Sequence, residues 1–305
     1  MAVITSPLHS TGSEKKDAMP TSRLPEALQR ALGRVTEIGS LPEVTTRIVE
    51  IVEDPKSTAQ DMHDIVKTDP ALAARVLKVV NSAFYGLPAQ ISNLDRAIVM
   101  LGLSAVKNIA LAASLSRLFK PGKIADRFSA HDLWQHCVSV GVCARMLAEA
   151  AGGQPEEAFV SGLVHDIGLL VEYQIVPEKL RQVIERVEQT SANFRTVERE
   201  LIGADHEMFG EALAIRWKFP PGLRSAIAYH HDPSELKPEF RPIVTTVQVA
   251  DIICAQNELG FHLTAFNEEI NEAMLAQIGL NEAKVSQVLA GLSERIEETE
   301  RIFSD

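Results

Sequence analysis

The run TDPALAARVLKVVNSAFYG, residues 68–86, carries a full set of helix signals and sets the class of what surrounds it. Asp69 is a good N-cap, and Pro70 fits the first helical position, where a missing N–H costs nothing. Leu72, Val76, Val79, Val80 and Phe84 recur every three or four residues, so one face is apolar and points inward. Gly86 closes the segment. Asn81 and Ser82, in the turn that follows, are read as supports for helix ends and packing rather than as chemistry.

Working outward, the same period continues. Leu41, Val44, Ile48, Ile51 and Val52 form one stripe that Pro55 ends. Ser57 or Thr58 caps a further helix, with Gln60 or Asp61 completing the cap and Ile65 and Val66 on its buried side. DRAIVMLGLSAVKNIALAASLSRLF (95–119) reads as two helices broken at Gly102 and Ser104, and its SxxK, Ser104 to Lys107, is ordinary helix sequence. Later helices are expected at 131–151, 155–172, 177–190, 195–217, 220–230 and 242–258, with two or three amphipathic ones after 267. No segment alternates apolar and polar residues long enough to make a strand, so the expected class is all-α.

The chain has 305 residues, 46% hydrophobic, 5% aromatic and 23% charged, enough for one large or two ordinary domains. Residues 1–22 lack an apolar period and read as a flexible tail. PGK at 121–123 and a change of charge near 128 suggest two helical parts, 23–128 and 129–260, followed by C-terminal helices at 261–305. Residues 1–23 and 24–128 carry net charges of +1 and +2, and residues 129–305 carry −14. Nucleic acid is not expected as a partner of so acidic a half, because phosphate contacts need clustered Lys or Arg. The longest apolar stretch, 97–119, is interrupted by Lys107, Asn108 and Arg117, and the N-terminus has no signal-peptide pattern, so a cytoplasmic protein without membrane contact is expected. Cys137, Cys143 and Cys254, odd in number and set in apolar segments, are expected to be buried free thiols.

Four His-Asp dipeptides occur (His63-Asp64, His131-Asp132, His165-Asp166, His231-Asp232), where chance predicts roughly 0.4. The one at 165 stands apart because Leu163, Val164, Ile167, Leu169 and Leu170 surround it. A carboxylate is rarely placed in such a run unless it is paired or binds a cation.

Two groups of residues carry a family resemblance. Residues 41–111, with DPALAARVLKVVNSAFYG and the later AIVMLGL, resemble the N-terminal part of an HDOD domain, the HD-related output domain of bacterial signalling proteins, and the likeness extends to about residue 240. Members of the wider HD superfamily, the HD-GYP phosphodiesterases among them, hold two or three metal ions with His and Asp from several helices. The resemblance implies an HD-domain-like helical bundle with an N-terminal helical subdomain. It also implies a ligand set: His136, His165, Asp166, His206 with Gly210 shortly after it, the pair His230-His231, and Asp251. Asp132, one turn before His136, is an additional candidate. Imidazole and carboxylate donors suit Fe, Mn, Zn or Ni, in a mononuclear or dinuclear centre.

Two departures limit what the resemblance implies. The HD-GYP doublet continues HDIGK, with the lysine meeting substrate phosphate, whereas position 169 here is Leu. The GYP stretch is absent after the histidine pair, so cyclic dinucleotide hydrolysis is not expected. Arg145 is a weak candidate for meeting phosphate, and His63 is given no catalytic role. Two functions remain open: a regulatory module acting on a signalling partner protein or a small phosphate-containing ligand, and a metal-dependent phosphohydrolase of unknown substrate.

Overall fold

A computed structural model describes residues 22–34, 41–82, 85–119, 123–125 and 128–303. All but Ser22 of the flexible tail expected at 1–22, Phe84 and most of the PGK boundary lie outside the described residues. The described chain is all-α apart from one short ribbon. Six helices come first: α1 Glu26–Leu32, α2 Glu43–Glu53, α3 Ala59–Val66, α4 Pro70–Val80, α5 Leu94–Leu101 and α6 Leu103–Leu115. The ribbon pairs β1 Lys123–Ala125 with β2 Phe128–Ser129, antiparallel, with Ala125 opposite Phe128. Then come α7 Ala130–Ala151, α8 Pro155–Val164, α9 Ile167–Ile175, α10 Pro177–Thr190, α11 Phe194–Leu201, α12 His206–Arg216, α13 Pro221–Tyr229, α14 Arg241–Gln256, α15 Glu272–Gln277 and α16 Glu282–Phe303.

Local signals account for most helix ends. The Asp69 carboxylate accepts from the Leu72 N–H, and Thr58 and Asp61 form a reciprocal capping box at α3. Leu72, Val76, Val79 and Val80 of α4 are buried, each contributing about 1.5–3 kcal/mol on leaving water. Asn81 does the structural work expected of it. Its amide donates to Leu77 O and Ile91 O, and its carbonyl accepts from the Ile91 N–H at 2.6 Å, tying the end of α4 to the chain that enters α5. The α5–α6 break falls at Gly102, at φ +87°. Lys107 is buried, and its ammonium donates to Ser57 Oγ and to Asp54 O at the end of α2.

Two expected long helices are each broken, and both breaks serve the site. The segment 155–172 divides at His165 and Asp166, because Asp166 leaves helical geometry at φ −93°, ψ +16°. The segment 195–217 divides at Gly203, φ +90°, after which Asp205 caps α12 by accepting from the Met208 N–H. Arg23, placed at the start of the first helical part, is anchored on the second half instead. The Arg23 guanidinium donates to Glu211 and to Ala228 O and lies 4.4 Å from the centre of the Tyr229 ring.

One hydrophobic core runs from Leu24 to Phe303 through both halves. α7 and α8 cross so closely that a Cβ on Gly162 would stand 2.8 Å from Gly141 Cα, a contact only glycine permits. No helix among the described residues is long and apolar enough to cross a membrane. The three cysteines are free and buried.

Candidate metal centre

Seven of the eight candidate ligands converge in the interior of the α7–α14 bundle. His136 comes from the second turn of α7, His165 and Asp166 from the α8–α9 break, and His206 from the first turn of α12. His230 and His231 follow α13, and Asp251 lies in α14. All are between 0% and 5% exposed. The α8–α9 break matters because consecutive residues of a continuous helix point about 100° apart. Leaving the helix at Asp166 lets both side chains of the doublet face the same space.

The donor atoms form three overlapping groups: His206, His230 and His231 with Asp166, His136 and His165 with Asp166, and His165 and His230 with Asp251. The first two, taken below as the two clusters with Asp251 on the second, share Asp166. Asp166 Oδ1 lies 3.4 Å from the Nε2 atoms of both His206 and His230, and His206 Nε2 lies 3.1 Å from His231 Nε2. On the other side, Asp166 Oδ2 is 3.4 Å from His165 Nε2 and 3.9 Å from His136 Nε2. Asp251 Oδ1 is 3.0 Å from His136 Nε2 and 3.8 Å from His165 Nε2. Two donors bound about 2.1 Å from one ion at right or tetrahedral angles are themselves about 3.0–3.4 Å apart; five of these spacings fall in that range, and those of His136 to Asp166 and His165 to Asp251, at 3.9 and 3.8 Å, are wider.

The hydrogen bonds behind the rings point to the same chemistry. His136 Nδ1 faces Leu259 O at 3.0 Å, His165 Nδ1 faces Gly162 O at 2.7 Å, and His230 Nδ1 faces Ala226 O and Ile227 O at 3.2 Å. A carbonyl accepts only, so each of these Nδ1 atoms carries the proton and turns a lone pair on Nε2 toward the centre. His206 Nδ1 faces the Glu198 carboxyl at 2.9 Å. Outer groups of this kind orient metal-bound imidazoles in general. Lone pairs crowded at 3.1–3.4 Å repel one another unless protons or a cation stand between them. Asp166 Oδ1, Asp166 Oδ2 and His165 Nε2 are buried without an aligned hydrogen bond. The residues therefore fit a divalent ion, and they offer no thiolate.

Electrostatics agree. Burial alone would raise the Asp166 carboxyl, yet His165, His230 and His206 around it hold it well below the usual carboxylate range. Burial, with His230 and His206 beside it, pushes His231 well below the ordinary imidazole value. His230 is raised: burial opposes its charge, but Asp166 and Glu207 outweigh that opposition.

Asp132 does not join either cluster. Its carboxylate completes a capping box at the start of α7, accepting from the Ser129 N–H and Oγ–H at 2.8 and 2.7 Å. Arg145 is also committed elsewhere. It pairs with Glu149 and Glu156 and lies 4.7 Å from the centre of the Tyr85 ring. His63 sits on α3, 3.5 Å from Asp95. Leu169 is fully buried, one turn past Asp166.

Sequence reasoning passed over the carboxylates behind the ligands. Glu198 and Glu172 are fully buried, and both are raised well above the usual range by burial first and by neighbouring carboxylates second. A signal was present for both: Glu198 falls on the apolar face of α11 with Phe194, and Glu172 sits in the apolar run of α9. Glu268, 3.0 Å from His231 Nδ1, lies in a loop and gave no periodic sign.

Gly168 fixes how closely α9 approaches α12. A Cβ there would stand 1.9 Å from His206 O, so the backbone carrying Asp166 meets the backbone carrying His206 directly.

Comparison with known proteins adds the family. A curated relative from Treponema pallidum (strain Nichols), described only as an uncharacterized protein, is 26% identical over 221 residues, covering 72% of this chain and 42% of its own length. The chain thus spans about two fifths of that relative. The crystal structure of an HDOD domain protein of unknown function from Geobacter sulfurreducens superposes with a TM-score of 0.77 at 26% identity, over 90% of this chain and 97% of that one. The structure of a candidate phosphohydrolase from Shewanella amazonensis SB2B gives a TM-score of 0.69 at 23% identity, over 92% and 98%. At that identity the likeness shows the fold alone. The HDOD domain family itself matches residues 38–233, more than half of the chain and including six of the seven clustered ligands. This chain belongs to the HDOD domain family.

Proposed function

We propose that this HDOD domain is a regulatory module built around a two-ion centre, with His206, His230, His231 and Asp166 as one ligand group and His136, His165, Asp251 and Asp166 as the other. The observation that carries the regulatory reading is closure. Every ligand is at most 5% exposed, and a buried Leu stands at 169, where a phosphate-binding cation is expected in a hydrolase. A buried centre of this kind stabilises one conformation when loaded, and the folded surface then presents that state to a signalling partner.

The second reading, a metal-dependent phosphohydrolase, is favoured by one specific observation, that Asp166 belongs to two of the three donor groups and so stands between two candidate ion positions. Two bound ions would supply Lewis acidity toward a phosphate group. Asp166 and Asp251 would balance their charge, and the buried imidazoles would exclude water around them. Substrate access would then require the covering residues to move.

Elemental analysis of the purified protein grown in supplemented medium, beside Asp166→Ala, tests the centre. We expect iron, manganese, zinc or nickel in the wild type and a large loss in the variant. Less than about a tenth of an equivalent of transition metal in the wild type would remove the centre. With metal present, a screen of phosphomonoesters, phosphodiesters and nucleotides separates the readings. Metal-dependent turnover that Asp166→Ala abolishes would replace the regulatory assignment.

A further inference from the structure

One loop segment, exposed at Asn257, Glu258 and Asn267 and buried between them at Phe261 and Leu263–Ala265, reaches both halves of the centre. Residues 257–268 leave the end of α14, the helix that carries Asp251, and cross over α7. Leu259 O accepts the Nδ1 proton of His136 at 3.0 Å, in the cluster with Asp251. Nine residues later Glu268 Oε1 lies 3.0 Å from His231 Nδ1, in the other cluster. His165 and His230 are held by carbonyls of their own helices, and His206 by Glu198 of α11. This segment thus touches a ligand ring of each cluster from outside the helices that carry those rings.

The segment is seated by backbone fit. Gly260, at φ +69°, presses against α7 so tightly that a Cβ would lie 2.4 Å from Asp132 O, and the Phe261 N–H donates to that same carbonyl. Phe261 packs edge-on against Phe194, which in turn meets the His206 ring. At the far end Arg195 holds Glu268 loosely, at 3.6 Å, while also pairing with Glu207. The contact between Glu268 and His231 is close but unaligned: neither atom makes a hydrogen bond of good geometry.

We infer that residues 257–268 are a strap through which occupancy of the metal centre is felt at the protein surface, with Glu268 as the positioning residue for His231. This rests on the two-ion reading above. An ion on Nε2 of His231 fixes the proton on Nδ1 and sets the direction of the ring. The N–H then points at a carboxylate already within reach, and the loose Glu268 contact becomes a charge-assisted hydrogen bond. An ion on His136 likewise strengthens the bond to Leu259 O. Loading therefore fastens the strap at both ends, and stripping loosens it while the helices stay packed on their own core.

Hydrogen exchange of the full chain, loaded with Zn²⁺ or stripped with EDTA, tests this with Zn²⁺ content measured in parallel. The expected result is about tenfold slower exchange across 257–268 in the loaded protein, and about a tenfold or greater weakening of Zn²⁺ uptake in Glu268→Ala that Glu268→Gln largely restores, since an amide oxygen still accepts the proton. Uptake by the wild type with strap exchange unchanged on loading would overturn the inference and leave the centre standing. Glu268→Ala binding Zn²⁺ as the wild type does would overturn it too. No uptake by the wild type would overturn the two-ion reading, and the inference with it.

Discussion

Gly168→Ala asks whether the contact between α9 and α12 is what assembles the centre. The added methyl would start 1.9 Å from His206 O, where ordinary contacts of a Cβ begin at 3.4 Å, so one backbone must retreat by about 1.5 Å. Neither side can yield by rotating a side chain, because the obstructing atom is a main-chain carbonyl. Overpacking of this kind costs about 1–3 kcal/mol, which corresponds to a fall in Tm of roughly 2–12 °C. The effect on the ligands is larger in proportion. Asp166 lies two residues before the altered position, His206 owns the displaced carbonyl, and metal–ligand distances tolerate only about 0.2 Å. The cluster of His206, His230 and His231 should therefore lose its ion while the variant remains folded. Thermal unfolding and Zn²⁺ stoichiometry, each with and without chelator, measure the two effects. Gly291→Ala is the matched control, since its Cβ would meet only Met146 Cε at 3.7 Å, and replacing a helical Gly there should hold or raise stability by about 0.5–1 kcal/mol. If Gly168→Ala melted within about 1 °C of the wild type and bound Zn²⁺ at full stoichiometry, the reasoning from helix approach to site assembly would be refuted.

Two further predictions concern single side chains. Glu198→Ala removes the acceptor behind His206 Nδ1 and should weaken metal binding by about 10–100-fold, with Glu198→Gln close to wild type; equal affinities for all three proteins, measured by competition with a chromophoric chelator, would exclude an orienting role. Asp69 caps α4, and its carboxyl is lowered chiefly by the Arg117 guanidinium, which it meets at 2.6 and 3.2 Å. A lowered folded value means that its contribution is fully present above the unfolded carboxylate value of about 3.9 and is lost as pH falls through the depressed one. Asp69→Ala should thus cost about 1 kcal/mol or more at neutral pH and flatten the acid limb of the stability profile, as denaturant titrations from neutrality downward would show. An unchanged acid limb would refute it.

Much of this molecule was legible in one dimension, and the reason is locality. The N-cap Asp69, the Thr58–Asp61 box, the apolar stripe of α4 and the stop at Gly102 act within one or two turns, so the residue string states them directly, whereas the break at Gly203 inside the expected 195–217 helix went unread. The candidate ligands were nominated through resemblance, because their histidines stand in recognisable local settings. Asp132 looked like a ligand for the same reason, being one turn from His136, and the structure spends it on a helix cap instead. What the string could not state is convergence. That His136 and His231, ninety-five positions apart, present their lone pairs to carboxylates in one buried space depends on the α8–α9 break and on Gly168 meeting His206. The carboxylates that orient the rings come from α11 and from the loop after α14, with no fixed spacing to the residues they serve. Sequence determined the helices and nominated the donors. Only the packing of those helices decided which donors face one another, how deeply they are buried, and which surface segment closes over them.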